Sequence, residues 1–480
     1  MSAHPLEELL HPRSIAVVGA SGNPESSGHQ FTDALVQHGF RGPIYPVNPK
    51  YTEILGFKAY ARVIDIPGPV DYVISNVPAP QVPAMLEDCG QKGVKVVHLF
   101  TARFSETGRQ AAIELEREVL RLAKKNNIRL IGPNCMGLYY PKEGIAFSDS
   151  MSKNAGPVGL ISQSGQMVGE ITRMAAQRGV YFSKAISYGN ALDLNECDFL
   201  EYLAQDVDTS VILMYVEGLR DGRRFVELLR QTTPHKPVVI LKGGRGQAGA
   251  RATASHTASL AGSAQMWRTA LAQVGAVSAV SPEELVDLAV SFRFLPPIEG
   301  LRVGVAGGAG GASVIAADAC EEAGLDVVPL SEEFRAELKR KGVSIWDWIG
   351  NPADMSITEN RDFTTGDMVE MMASCNDFDL LILLVGEPWR RRPEMTAAEH
   401  LKQFKLEARR SKPILTVVAE RDPNVESEED WSWDIMREVR KQLLEDGIPF
   451  YRNIGRAARA ARKLVGYYQK RASLATAASR

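Results

Sequence analysis

Short apolar runs alternate with longer stretches of helical periodicity along the whole chain, and Gly and Pro punctuate the joins. That alternation predicts an α/β architecture with mostly parallel sheets. One local unit recurs three times. The first is the run IAVV from Ile15, followed by GASG and a helical stretch beginning near Gly28. The second is VGLISQSG from Val158 with a helix stopped at Gly179, and the third is LRVGVAGGAGG from Leu301 with a helix stopped at Gly324. Each is a buried strand, a turn of small residues and a helix, the way a doubly wound domain commonly opens. Their even spacing predicts three successive Rossmann/flavodoxin-like doubly wound domains. The expected ranges are 1–143, 144–297 and 298–468, with a flexible tail over 469–480.

The joins are legible. Residues 138–157 break the α/β rhythm, and the segment from Phe294 to Gly300 carries paired prolines. The chain has 480 residues, 45% of them hydrophobic, enough to bury several cores. A formal net charge of −3 provides no overall positive field, so neither nucleic acid nor a membrane is an expected partner. The basic residues after Arg456 and the acidic run at Glu426 read as solvated surface. No apolar run is long enough to span a bilayer, and the N-terminus does not resemble a signal peptide. Five scattered cysteines, without a CxxC pair, exclude a disulfide scaffold and a zinc finger. No metal site is expected, and the expected location is cytoplasmic.

Gly19, Ala20, Ser21 and Gly22 directly follow a strand, where small residues let backbone amides approach a phosphate at a helix start. The spacing is not GxGxxG, and the next strand ends in Asn48-Pro49-Lys50 rather than in an acidic residue that would hold a ribose. Lys50 suits an extra ribose phosphate, as in CoA or NADP; a purely structural turn is the alternative. Loops after the later strands, at Val77–Pro80, at Thr101 and at Gly132–Gly137, are expected to line one crevice with this turn. Cys135 in the last of these reads as a packed thiol beside that crevice.

Among the histidines, His256 has the most informative setting. It lies in a long loop of small residues with the cations Lys242, Arg245 and Arg251. An accessible imidazole there is a competent nucleophile toward phosphorus, provided that something orients it. Glu217, at the end of the strand VILMYV, is the candidate orienting carboxylate. The second glycine turn provides a helix start at Ser164, Gly165 and Gln166, whose amides and hydroxyl suit the resulting phosphate.

GAS at Gly19–Ser21, YPVNPKY at Tyr45–Tyr51, VPAP at Val77–Pro80, FSETG at Phe104–Gly108 and GPNCMG at Gly132–Gly137 form a distinctive series. It continues with SQSG at Ser162–Gly165, SYGN at Ser187–Asn190, VEG at Val216–Gly218, SHTASLAG at Ser255–Gly262 and NPAD at Asn351–Asp354. With these motifs the chain resembles the α subunit of the NDP-forming acyl-CoA synthetases (ADP-forming acetate–CoA ligases), related to the succinyl-CoA synthetase α subunit. The resemblance implies a CoA-binding first domain, a succinyl-CoA synthetase-like second and a flavodoxin-like third. It implies that His256 carries phosphate between nucleotide and acyl substrate, with Glu217 holding it. It also implies CoA contacts at Gly19–Gly22, Lys50, Val77, Thr101 and Asn134. The implied activity is reversible acid–CoA ligation: carboxylic acid, CoA and ATP giving acyl-CoA, ADP and phosphate.

No P-loop is present and no segment reads as an ATP-grasp domain, which the resemblance places on a separate β subunit or a fused extension; it implies Mg2+ and ATP/ADP on an ATP-grasp β subunit, in an α2β2 assembly. Gly22, Arg103 and Ala258 depart from the family pattern, and Gly169 replaces the tyrosine of the succinate enzymes. Two other readings compete: a non-catalytic CoA-binding regulatory subunit and an NAD(P)-dependent oxidoreductase.

Overall fold

The computed structural model describes residues 4–249, 251, 264–355, 363–388, 395–418 and 431–478. Residues 1–285 make one compact unit and residues 286–480 a second. The first unit holds two sheets. In the first sheet β1 (Ile15–Val18), β2 (Ile44–Val47), β5 (Tyr72–Ser75), β6 (Val96–Leu99) and β7 (Arg129–Ile131) pair in parallel, in the order β2-β1-β5-β6-β7. A small hairpin of β3 (Glu53–Ile54) and β4 (Phe57–Lys58) follows β2. β1, β5 and β6 are buried along their whole length, as expected of parallel strands covered on both faces.

The second sheet contains β8 (Gly137–Tyr139), β9 (Ala155–Ser162), β10 (Phe182–Ser187), β11 (Val211–Val216), β12 (Val238–Lys242) and β13 (Val277–Ala279). Its order is β13-β12-β11-β9-β10-β8, parallel except for β8, which runs antiparallel to β10. Residues 137–139, which the sequence groups with the first domain, thus add an edge strand to the second sheet. Without β8 and the hairpin, both sheets have the doubly wound order in which the first strand lies between the second and the third. In that order a crevice opens beyond the carboxyl ends of the first and third strands. Here those ends are Val18 and Ser75 in one sheet and Ser162 and Val216 in the other.

Helices α1 (Pro5–Leu10), α2 (Ser27–His38), α3 (Val82–Lys92), α4 (Gln110–Lys125), α5 (Gly165–Ala176), α6 (Glu196–Gln205) and α7 (Gly222–Thr232) belong to this unit. The helix starts near the crevice are local in origin. Ser26 Oγ accepts from His29 N at 3.2 Å to cap α2, and Ser164 Oγ accepts from Met167 N at 3.4 Å to cap α5.

The second unit carries the parallel sheet β14 (Val303–Ala306), β15 (Leu380–Leu384), β16 (Ile414–Val417) and β17 (Phe450–Tyr451). The NPAD motif has a structural use here. Asn351 accepts from Val305 N at 2.9 Å and donates to Val303 O and Val328 O, standing in for a neighbouring strand. The helix Ile454–Ala478 takes in most of the segment that reads as a tail from the sequence.

Candidate active site

The first turn is built by close approach. Gly19 has φ +85°, open to glycine at little cost, and a Cβ there would lie 3.0 Å from the Asn76 carbonyl carbon. Gly28, in the first turn of α2, would place a Cβ 2.1 Å from Gly19 O. Only a hydrogen at this position lets the helix start lie against the turn, so Gly28 is a site residue that no motif reveals. Its spacing from Gly19 matches no glycine fingerprint. Gly28→Ala is expected to destabilise the chain by about 1–3 kcal/mol, the scale of forced overpacking, read as a lowered melting temperature.

Asn48 ties the neighbouring loop to this turn. Its Nδ2 donates to Ala20 O at 2.7 Å and its Oδ1 accepts from Lys50 N at 3.0 Å. Tyr51 OH lies 3.5 Å from Ser21 Oγ, and a Cβ on Gly22 would be 3.2 Å from the Tyr51 ring. Lys50 is exposed, on a segment pinned to the turn on both sides.

Beside the turn opens a cleft of about 1230 Å³ between the two sheets of this unit. Val77, Thr101 and Asn134 line one wall and Ser164, Gly165 and Gln166 the other, so six residues named from the sequence come together. Gly19–Gly22 and Lys50 lie outside this lining, next to it through Asn76. Both polar atoms of the Asn76 side chain are buried without a hydrogen-bond partner among the described residues, a costly state. Thr101 Oγ1 donates to Val77 O at 2.6 Å, so the hydroxyl proton is committed to holding the loop.

The walls are locked to each other. Gly189 has φ +54°, and a Cβ on it would lie 2.2 Å from Pro133 O, so glycine is required where SYGN packs on GPNCMG. A Cβ on Gly165 would lie 2.3 Å from Met136 Cγ, which seats the start of α5 directly on that loop. Beneath it, His98 Nε2 lies 2.9 Å from Cys135 O, and burial lowers the His98 pKa to about 4, so the ring stays neutral. The Cys135 thiol is buried 3.8 Å from Leu99 O, and burial pushes its pKa up, which suits packing rather than reactivity.

Glu217 is buried just beyond β11. Tyr215 OH donates to its Oε1 at 3.1 Å, and a Cβ on Gly243 would lie 3.2 Å from Glu217 Cγ. The carboxylate side chain therefore packs against the first residue of the connection that carries His256. His256, Ala258 and the rest of SHTASLAG lie outside the described residues, as does the acidic run at Glu426. Gln163, which no sequence signal singles out for this role, links the Glu217 backbone to the cleft. It lines the cleft, and its Oε1 accepts from Glu217 N at 2.8 Å and from Gly218 N at 3.1 Å. Lys242 differs from its expected role as a phosphate-facing cation. Its Nζ donates to Glu217 O at 2.7 Å and to Gly243 O, and burial lowers its pKa, so it anchors the carbonyls around Glu217.

A CoA binding domain family matches residues 13–141, and a succinyl-CoA ligase-like flavodoxin domain family matches residues 155–292. The α subunit of acetate–CoA ligase (ADP-forming) II from Pyrococcus furiosus is 36% identical over 464 residues, 96% of this chain and 97% of the relative. The chain belongs to the ADP-forming acetate–CoA ligase α-subunit family. Acetate–CoA ligase (ADP-forming) I from Archaeoglobus fulgidus is 40% identical over 337 residues, and that match spans 70% of this chain but only 48% of the relative. The chain thus spans about half the length of some ligases of its family. Among solved structures, the acetyl-coenzyme A synthetase 1 of Ca. Korarchaeum cryptofilum, in complex with phosphate and ADP, superimposes with a TM-score of 0.82. It is 30% identical, with 98% of each chain covered.

Proposed function

We propose that this chain is the α subunit of an ADP-forming acid–CoA ligase and houses its acyl-transfer chemistry. The observation that carries this reading is the cleft. It joins the Asn76 side of the glycine turn to the start of α5, so that one end suits a phosphorylated nucleoside and the other an oxyanion. In the synthetic direction His256 takes a phosphoryl group from ATP, with ADP leaving. The acid's carboxylate oxygen then attacks that phosphorus, the N–P bond breaks and an acyl phosphate forms. The CoA sulfur, having lost its proton, attacks the acyl carbon, and inorganic phosphate leaves with the C–O bond pair. Glu217 orients the imidazole through a hydrogen bond to the nitrogen that is not phosphorylated. Ser164, Gly165 and Gln166 receive the phosphate at the positive end of α5, worth about 1–2 kcal/mol in a partly buried setting.

CoA lies with its phosphorylated nucleoside at Gly19–Gly22 and Lys50 and its thiol arm past Val77, Thr101 and Asn134. The acid is a small carboxylic acid; Gly169, which replaces the tyrosine of the succinate enzymes, argues against succinate. An ATP-grasp β subunit supplies ATP/ADP and Mg2+, in an α2β2 assembly in the cytoplasm. Among the described residues, no three His, Cys, Asp or Glu side chains are grouped to hold a metal ion. No described helix is long and apolar enough to cross a membrane, and all five cysteines are free.

Calorimetry of CoA binding tests the first half of the reading. Lys50→Ala is expected to weaken CoA by about 1–2 kcal/mol, the scale of one charge-assisted hydrogen bond, and dephospho-CoA much less. Equal affinity of the unaltered chain for both forms removes Lys50 from this role. Formation of ATP from ADP, phosphate and a panel of acyl-CoAs, with the partner subunit present, tests the second half and identifies the acid.

A further inference from the structure

The cleft breaks two local rules at one rim. Arg103 has φ +76°, in a region that favours glycine, and Arg109 occupies the N-cap of α4, where Ser, Thr, Asp or Asn would satisfy the helix amides. A cation at a helix N-terminus is also opposed by the helix dipole, and α4 carries no acidic residue in its first turn to compensate. Both arginines line the cleft and both are exposed. Among the described residues, neither guanidinium has a hydrogen-bond or ion-pair partner.

The backbone here is nevertheless held firmly. Glu106 accepts from Arg103 N at 2.5 Å and from Phe104 N at 3.0 Å, and Asn190 Nδ2 donates to the same carboxylate at 2.8 Å. Glu106 therefore clips the turn from within it, Asn190 of the SYGN loop holds the same carboxylate, and its lone pairs are taken up by amides rather than by the arginines. Among the described residues the cleft lining contains these two arginines and no Asp or Glu, in a chain with a formal net charge of −3. Local misfits retained together at one rim point to a function that offsets their cost.

We infer that Arg103 and Arg109 form an oxyanion subsite at the mouth of this cleft, separate from the Gly19–Gly22 turn and Lys50. The group it takes is a phosphate or a carboxylate: either the diphosphate of CoA or a second carboxylate on the acid. The inference rests on the proposed ligase reading for those ligands, but the subsite itself is tested by inorganic pyrophosphate.

Arg103→Gly and Arg109→Ser are the informative variants, because each installs the residue its backbone favours. Their melting temperatures are expected to stay level or rise. Pyrophosphate binding, followed by calorimetry on the full chain, is expected to weaken about tenfold in each variant, the effect of removing one charge-assisted hydrogen bond, and to decline with added salt. If the natural group is the CoA diphosphate, CoA weakens in parallel while pantetheine, which lacks phosphate, does not. If it is a second carboxylate, CoA affinity holds. With the partner present, the KM for a dicarboxylic acid then rises about tenfold while that for its monocarboxylic analogue stays put. A lowered melting temperature, or pyrophosphate binding unchanged in both variants, overturns the inference. An unaltered chain that binds pyrophosphate but not CoA leaves the subsite standing and defeats the ligase reading; one that binds neither defeats both.

Discussion

Supplied with acid, CoA and ATP, the purified chain by itself is expected to form no acyl-CoA, and adding an ATP-grasp β subunit is expected to restore turnover. The expectation follows from the distribution of parts. The described residues provide a turn suited to phosphates beside the cleft, a helix start suited to an oxyanion in its lining and, behind Gln163, the candidate orienting carboxylate Glu217, whereas no motif in the chain cradles a nucleoside triphosphate. A P-loop would have signalled itself as a glycine-rich run ending in Lys-Ser or Lys-Thr, and the dipeptide Gly-Lys does not occur. Steady-state assays with and without the partner measure the difference. ATP-dependent synthesis by the rigorously purified chain contradicts the division of labour.

Glu217→Gln is expected to slow phosphorylation by about 10²-fold or more, as loss of an orienting carboxylate commonly does. The substitution preserves shape. The Tyr215 hydroxyl can still donate to the amide oxygen, and the Gln163 and Lys242 bonds go to the Glu217 backbone, which is unchanged. Folding and CoA affinity should therefore match those of the unaltered chain while the rate of label uptake falls. Gln163→Ala provides a useful contrast. It removes the side-chain acceptor for Glu217 N and Gly218 N, and so disturbs the placement of Glu217 without removing its charge. Rapid-quench measurement of phosphate uptake separates the two: a rate in Glu217→Gln equal to that of the unaltered chain argues against an orienting role.

Much of this architecture can be read from the sequence because buried parallel strands leave continuous apolar runs. IAVV, VGLIS and RVGVA announce the first strand of each sheet, and the small-residue turns after them mark the carboxyl ends where ligands sit. Convergence of Val77, Thr101 and Asn134 with Ser164, Gly165 and Gln166 follows from the same rule, applied to two sheets whose loops line one cleft. The residues that escaped act through contacts with no local signature. Gly28 matters because Gly19 O lies where its Cβ would be, and Gln163 matters because its amide reaches peptides more than fifty residues away. Antiparallel pairing of Gly137–Tyr139 with β10 is similarly invisible in a three-residue run that follows a glycine loop. Lys242 reads as a phosphate-binding cation in a list of charges, but its burial beneath Glu217 turns it into a carbonyl anchor.

The account stands or falls on a covalent phosphate at His256. Incubating the chain with its nucleotide-binding partner and γ-labelled ATP, then testing the bound label for acid and base stability, addresses it most directly. Label that is lost in acid, survives base, maps to His256 and is absent from His256→Ala, while CoA binding in that variant is intact, is the predicted result. Label that survives acid, or that persists undiminished in His256→Ala, would contradict it.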